Sequence, residues 1–188
     1  MNVTIVGEDI FQQPSPVVVE PQRFSDSRGW FSESFQLQRY DRLGIPGADG
    51  QFVQDNVSRS QRGVVRGLHY QLERPQGKLV MCLRGRIFDV FVDVRRSSSS
   101  CGQWSAVELS EQNGKQLYVP TGFAHGFCAL EESDVLYKTT DFYDSASERT
   151  LLWHDQAVGI EWPVKPAEAI VSPKDSQGVL LSAIDLFP

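Results

Sequence analysis

Two adjacent apolar β-type runs, Lys78 to Leu83 and Arg86 to Val94, constrain this chain more than any other feature. In the second, Phe88, Val90, Val92 and Val94 point one way and Ile87, Asp89, Phe91 and Asp93 the other, as strand alternation requires. Arg84-Gly85 at the junction predicts a tight hairpin. Asp89 and Asp93 read as structural acids that pair with arginines such as Arg84, Arg86 or Arg95.

The flanking sequence continues the β pattern. Val17-Val18-Val19 is a strand candidate after the breakers Pro14 and Pro16, and Arg23 to Phe35 reads as strand, turn, strand about Asp26 to Gly29. Phe31, Glu33 and Phe35 are expected on one face, with Glu33 either an edge charge or a polar contact. Gln36 to Leu43 is the best helix, stopped by Gly44 and Pro46. Phe52 to Ser58 returns to strand, with Gln54, Asn56 and Ser58 on one polar face that is either solvated or hydrogen-bonding. Trp104 to Leu109 and Val135 to Thr140 are further strands, and Trp153 to Trp162 is a loop. Many short strands, Gly/Pro turns and one weak helix predict an antiparallel sandwich or barrel. A barrel of this size can hold one small ligand. The 188 residues carry no repeat and no break, so one domain over 1–188 is expected.

Charge narrows the partners. A net charge of −6 argues against a nucleic-acid surface and leaves room for a local basic pocket. Cys82, Cys101 and Cys128 show no metal-type pairing, which fits a reducing compartment. The first residues lack the pattern of a signal peptide and no apolar run reaches membrane-spanning length, so a cytoplasmic protein with no membrane partner is expected.

The chemistry centres on Val65-Arg66-Gly67-Leu68-His69-Tyr70-Gln71. Counting in twos, Gly67, His69 and Gln71 share one face of a strand and Arg66, Leu68 and Tyr70 the other. Arg66 and His69 converge only if the strand bends between them, and Gly67 is where a bend is cheap. A base beside a fixed cation suits chemistry on an anionic substrate. A core histidine beside a surface arginine is the competing reading.

Pro120-Thr121-Gly122-Phe123-Ala124-His125 resembles the second cupin motif. Metal-binding cupins also carry a His-x-His pair, and none of His69, His125 and His154 lie two apart, so no metal site is expected. A wider set then occurs in order: Arg28-Gly29, Phe31 to Phe35, Gln54-Asp55-Asn56, Arg66 to Gln71, Gln76 to Val80, Gly122 to Phe127, Tyr137 to Thr140, Glu148, Trp153-His154-Asp155, Ile160 to Pro163 and Ser172 to Asp175. Together these resemble the dTDP-4-dehydrorhamnose 3,5-epimerase family over nearly the whole chain.

The resemblance implies an all-β, cupin-like double-sheet jelly-roll barrel with one or two short helices. It implies cofactor-independent inversion of two carbons flanking the ketone of a dTDP-4-keto-6-deoxyhexose. His69 would be the base, Asp175 its orienting partner, Tyr137 the acid on the opposite face, and Lys78 the cation at the enolate oxygen. Arg66 and His125 resemble the family's sugar and phosphate contacts. Arg28, Glu33, Gln54, Asn56, Glu148 and Lys174 resemble its nucleotide-sugar contacts. A homodimer that exchanges N-terminal strands is implied, with Arg28 and Glu33 serving the partner's site. The rival readings are a single-site epimerase of a related sugar, a metal cupin oxygenase and a non-catalytic sugar-nucleotide-binding module.

Overall fold

The computed structural model describes residues 1–188. Two six-stranded sheets face each other. The first runs β1 (Asn2–Ile5), β2 (Val17–Glu20), β10 (Gln116–Val119), β7 (Lys78–Arg84), β12 (Ser133–Thr139) and β5 (Gln54–Ser60). The second runs β13 (Glu148–Thr150), β6 (Val64–Gln71), β11 (Phe123–Ala129), β8 (Arg86–Asp93) and β9 (Trp104–Ser110), with β14 (Ile170–Val171) parallel to β6. A ribbon of β3 (Arg23–Asp26) and β4 (Gly29–Ser32) belongs to neither sheet. The helices are α1 (Leu37–Arg42), capped by the Gln36 side chain on the Arg39 amide, and α2 (Pro173–Ser176). This is the expected double-sheet, nearly all-β architecture.

The strand alternation explains the layers. Val80, Cys82, Leu117, Val119 and Val135 of the first sheet meet Ile87, Phe91, Leu109, Phe123 and Phe127 of the second in the core between them. The opposite side of β8, with Val90 and Val92, is covered by Leu151, Val158 and Ile184 from the C-terminal third. Tyr40 and Ile45, in and just after α1, cover the other side of the first sheet at Val19, Leu79 and Tyr118. Each fully buried Val, Leu, Ile or Phe contributes about 1.5–3 kcal/mol over its exposed state. Glycine after α1 and the short helix itself follow the sequence expectation.

Three expectations are corrected. Arg84-Gly85 does not make a hairpin, because β7 and β8 lie in different sheets. Only Gly85 separates the two strands, which is too short for a hairpin reversal, so the chain turns a corner from one sheet to the other. Gly85 has φ +76°, and a Cβ there would collide with the Glu132 carbonyl oxygen. Asp93 does pair with Arg95, at 2.7 Å, but Asp89 pairs with no arginine and bonds His125 instead. Finally, Phe31, Glu33 and Phe35 do not share a face. β4 stops at Ser32, leaving Phe31 exposed, whereas Phe35 turns in against Tyr40 and Phe52 and Glu33 lies 3.0 Å from Arg39.

Candidate active site

Between the sheets, beyond the apolar core, a cavity of about 520 Å³ opens to solvent. Its polar walls come from the ends of the same strands that build the core. On the first sheet, Lys78 begins β7 and Tyr137 sits opposite Val80 in the β7–β12 ladder. Lys78 and Val80 are two apart, so Lys78 and Tyr137 are diagonal neighbours on the inner face. On the second sheet, His69 of β6 is directly opposite His125 of β11. Arg66 lies three residues before His69, yet both line the cavity.

The bend predicted at Gly67 accounts for this. Between the His69–His125 and Arg66–Phe127 pairs, β6 advances three residues while β11 advances two, which is a bulge. Gly67 has φ +116°, and a Cβ there would meet Gly126 Cα at 2.7 Å. Only glycine fits such a conformation at such a contact.

His69 Nε2 lies 2.6 Å from Asp175 Oδ1, and Asp175 Oδ2 accepts the Gly67 amide at 3.3 Å. Asp175 belongs to α2, whose cap Ser172 accepts the Asp175 amide at 3.1 Å. Burial pushes the Asp175 carboxyl up, but the His69 and Gly67 hydrogen bonds outweigh it and hold the group below the usual carboxylate range. An ionised Asp175 keeps the proton on Nε2 and leaves Nδ1 as the basic nitrogen. A second pair follows the same design: His125 Nε2 is 2.7 Å from Oδ1 of the fully buried Asp89.

Lys78 is buried, and its Nζ donates to the His69 carbonyl at 2.9 Å. Burial pulls its pKa down to about 8, against the opposing pull of Glu148 and Asp89. Burial pushes the Tyr137 phenol up despite Arg66, so it is neutral at pH 7. The cavity therefore combines a histidine–aspartate pair, a neutral phenol from the facing sheet, a lysine and an arginine. That set can remove a proton from carbon, return one from another direction, and stabilise the charge between.

The remaining expected residues divide into two groups. Lys174 lines the cavity, and Glu148, Gln54 and Asn56 are joined to it by a chain of hydrogen bonds through Tyr143. Gln54 donates to Asn56 at 2.9 Å and accepts the Tyr143 amide at 3.2 Å, Tyr143 donates its hydroxyl to Glu148 at 3.0 Å, and Lys174 pairs with Glu148. Arg28 and Glu33 are not brought to the cavity. Arg28 sits at the ribbon tip, bonded to Asp26, and Glu33 stays beside α1. The sequence reading made Asp89 a partner for arginine and missed its bond to His125, although an acid between Ile87 and Phe91 on an inward face was a signal. It also passed over Tyr143, whose place depends on a loop without periodicity.

Comparison with known proteins follows the same lines. A family profile described as dTDP-4-dehydrorhamnose 3,5-epimerase matches residues 12–183. The chain is 47% identical over 176 residues to the dTDP-4-dehydrorhamnose 3,5-epimerase of Shigella flexneri, covering 93% of this chain and 95% of that one. It is 50% identical over 182 residues to the enzyme of the same name from Sinorhizobium fredii, covering 94% and 91%. Among solved structures it resembles a dTDP-6-deoxy-D-glucose-3,5-epimerase from Legionella pneumophila in complex with dTDP-4-keto-L-rhamnose. There the TM-score is 0.87 at 45% identity, covering 98% of this chain and 95% of that one.

Proposed function

This chain belongs to the dTDP-4-dehydrorhamnose 3,5-epimerase family, and from that premise we propose how its residues divide the work. The reaction is epimerisation of dTDP-4-dehydro-6-deoxy-D-glucose at carbons 3 and 5, giving dTDP-4-dehydro-L-rhamnose. It is a step of dTDP-L-rhamnose formation.

Each inverted carbon adjoins the ketone, so loss of its proton gives an enolate whose charge rests on the ketone oxygen. His69 Nδ1 takes the proton, with Asp175 steadying the imidazolium that forms. Lys78 stabilises the oxygen. Tyr137 delivers a proton to the other face of the carbon; before the next cycle the imidazolium gives its proton to water and the tyrosinate takes one from water. Arg66 and His125 hold the sugar and diphosphate, the arginine through its planar fork. Gln54, Asn56, Glu148 and Lys174 serve the nucleotide end. One observation carries this reading: a base and a phenol approach one cavity from facing sheets, which inversion requires and binding alone does not.

Arg28 and Glu33 serve a second copy's site. The ribbon that carries Arg28 stands apart from both sheets and exposes Phe24, Trp30 and Phe31, at 55%, 59% and 69%. Aromatic surface of that kind suits a contact with another protein surface. We place the one-domain enzyme in the cytoplasm, as its free cysteines suggest.

The deciding experiment is proton NMR with dTDP-4-keto-6-deoxyglucose in deuterated water. Deuterium at both carbons flanking the ketone, with an L-rhamno product trapped by a reductase, is expected. Deuterium at one carbon alone would move the chain to a single-site epimerase, and none would remove the proton-transfer reading.

A further inference from the structure

The polar face of β5 continues past Ser58 to Ser60, which the reaction described above does not use. Ser60 is 2% exposed and sits opposite Ser133 of β12. Its Oγ accepts Nε of Arg66 at 2.9 Å, and the Arg59 carbonyl beside it accepts Nη2 at 3.1 Å. A guanidinium has five N–H donors in one plane. Two are held by β5, so three remain free on a side chain that lines the cavity. The long arginine stem has much rotamer freedom to lose when it binds an anion, and a fork already fixed loses less.

We propose that Ser60 is a positioning residue that sets the plane of the Arg66 guanidinium toward a substrate diphosphate. This rests on the assignment of Arg66 to substrate binding. It also predicts selectivity: the effect should follow the diphosphate and not the nucleoside. A serine that merely fills the end of β5 would affect both alike, or neither.

The test is calorimetric binding of dTDP and of thymidine to the wild type, Ser60→Ala, Arg66→Ala and the double variant. Ser60→Ala is expected to weaken dTDP about tenfold, as for loss of one charged hydrogen bond, and to leave thymidine within about twofold. In the Arg66→Ala background the same substitution should change dTDP affinity less than about twofold, because the group it orients is gone. Unchanged dTDP binding by Ser60→Ala, or an equal loss in both backgrounds, would overturn the proposal while leaving Arg66 in its role. An Arg66→Ala protein that binds dTDP like the wild type would overturn the Arg66 assignment and the proposal with it. Should Ser60→Ala melt early, Ser60→Cys keeps the volume with a weaker acceptor, and the same cycle is read with it.

Discussion

Replacing Lys78 by methionine is expected to stabilise the fold near neutral pH while abolishing turnover. Lys78 is 8% exposed, and burial lowers its pKa from 10.5 to about 8. At 1.36 kcal/mol per pKa unit, holding the ammonium in the folded state costs about 3 kcal/mol. The folded pKa lies below the unfolded one, so between pH 8 and 10.5 the unfolded chain holds the proton more tightly. The penalty is complete below pH 8 and is relieved as pH rises through that window. Methionine keeps the stem and cannot be charged, but gives up the bond to the His69 carbonyl, worth about 1 kcal/mol.

The variant should therefore be more stable by about 2 kcal/mol at pH 7 and lose that advantage by pH 10.5. Urea unfolding of both proteins across this range measures the difference. The buried tyrosines and cysteines titrate in both and cancel. A variant less stable than wild type at pH 7, or a gap that does not change with pH, would refute the argument that the lysine is held against a desolvation cost. On the role proposed for Lys78, catalysis should fail at every pH.

Other consequences are simpler to read. On the role proposed for His69, the substitution His69→Ala should stop deuterium incorporation at both carbons while dTDP affinity stays within about threefold. Tyr137→Phe should keep proton removal, seen as deuterium exchange, and lose most inversion, seen as product. If the ribbon makes the second-copy contact proposed above, the wild type should be a dimer in light scattering and Trp30→Asp with Phe31→Asp a monomer with a raised KM; an unchanged mass would detach the ribbon from assembly.

Much of the fold was legible because side-chain alternation is local. The runs that became β2, β7, β8, β9 and β12 carry their pattern in four to eight residues, and α1 carries its cap and stop. The Gly67 bend was legible for another reason: two residues of opposite parity could serve one site only if the strand was bulged, and one glycine lay between them. What escaped was partner choice. The sequence around Arg84-Gly85 looks the same whether β7 and β8 pair or part, because the decision rests with β10, β11 and β12, far along the chain. Asp89 escaped likewise. Arginines were its nearest candidates in sequence, while His125 reaches it only through the β8–β11 ladder.

The opposed pKa shifts of Lys78 and Tyr137 share a single origin. β7 passes from Cys82 and Val80 in the core to Lys78 at the cavity, and β12 passes from Val135 to Tyr137. Each strand thus supplies the apolar floor that desolvates its own polar residue. Desolvation penalises the charged form of either group, so it lowers the lysine and raises the tyrosine together. Asp175 is buried as well, yet it remains ionised because His69 and the Gly67 amide bond it. The two groups differ in charge at pH 7 because of their intrinsic acidity, and hydrogen bonding is what turns the Asp175 shift downward while burial turns the Tyr137 shift upward. For the carboxylate, that bonding depends on one glycine whose bulge turns an amide toward it.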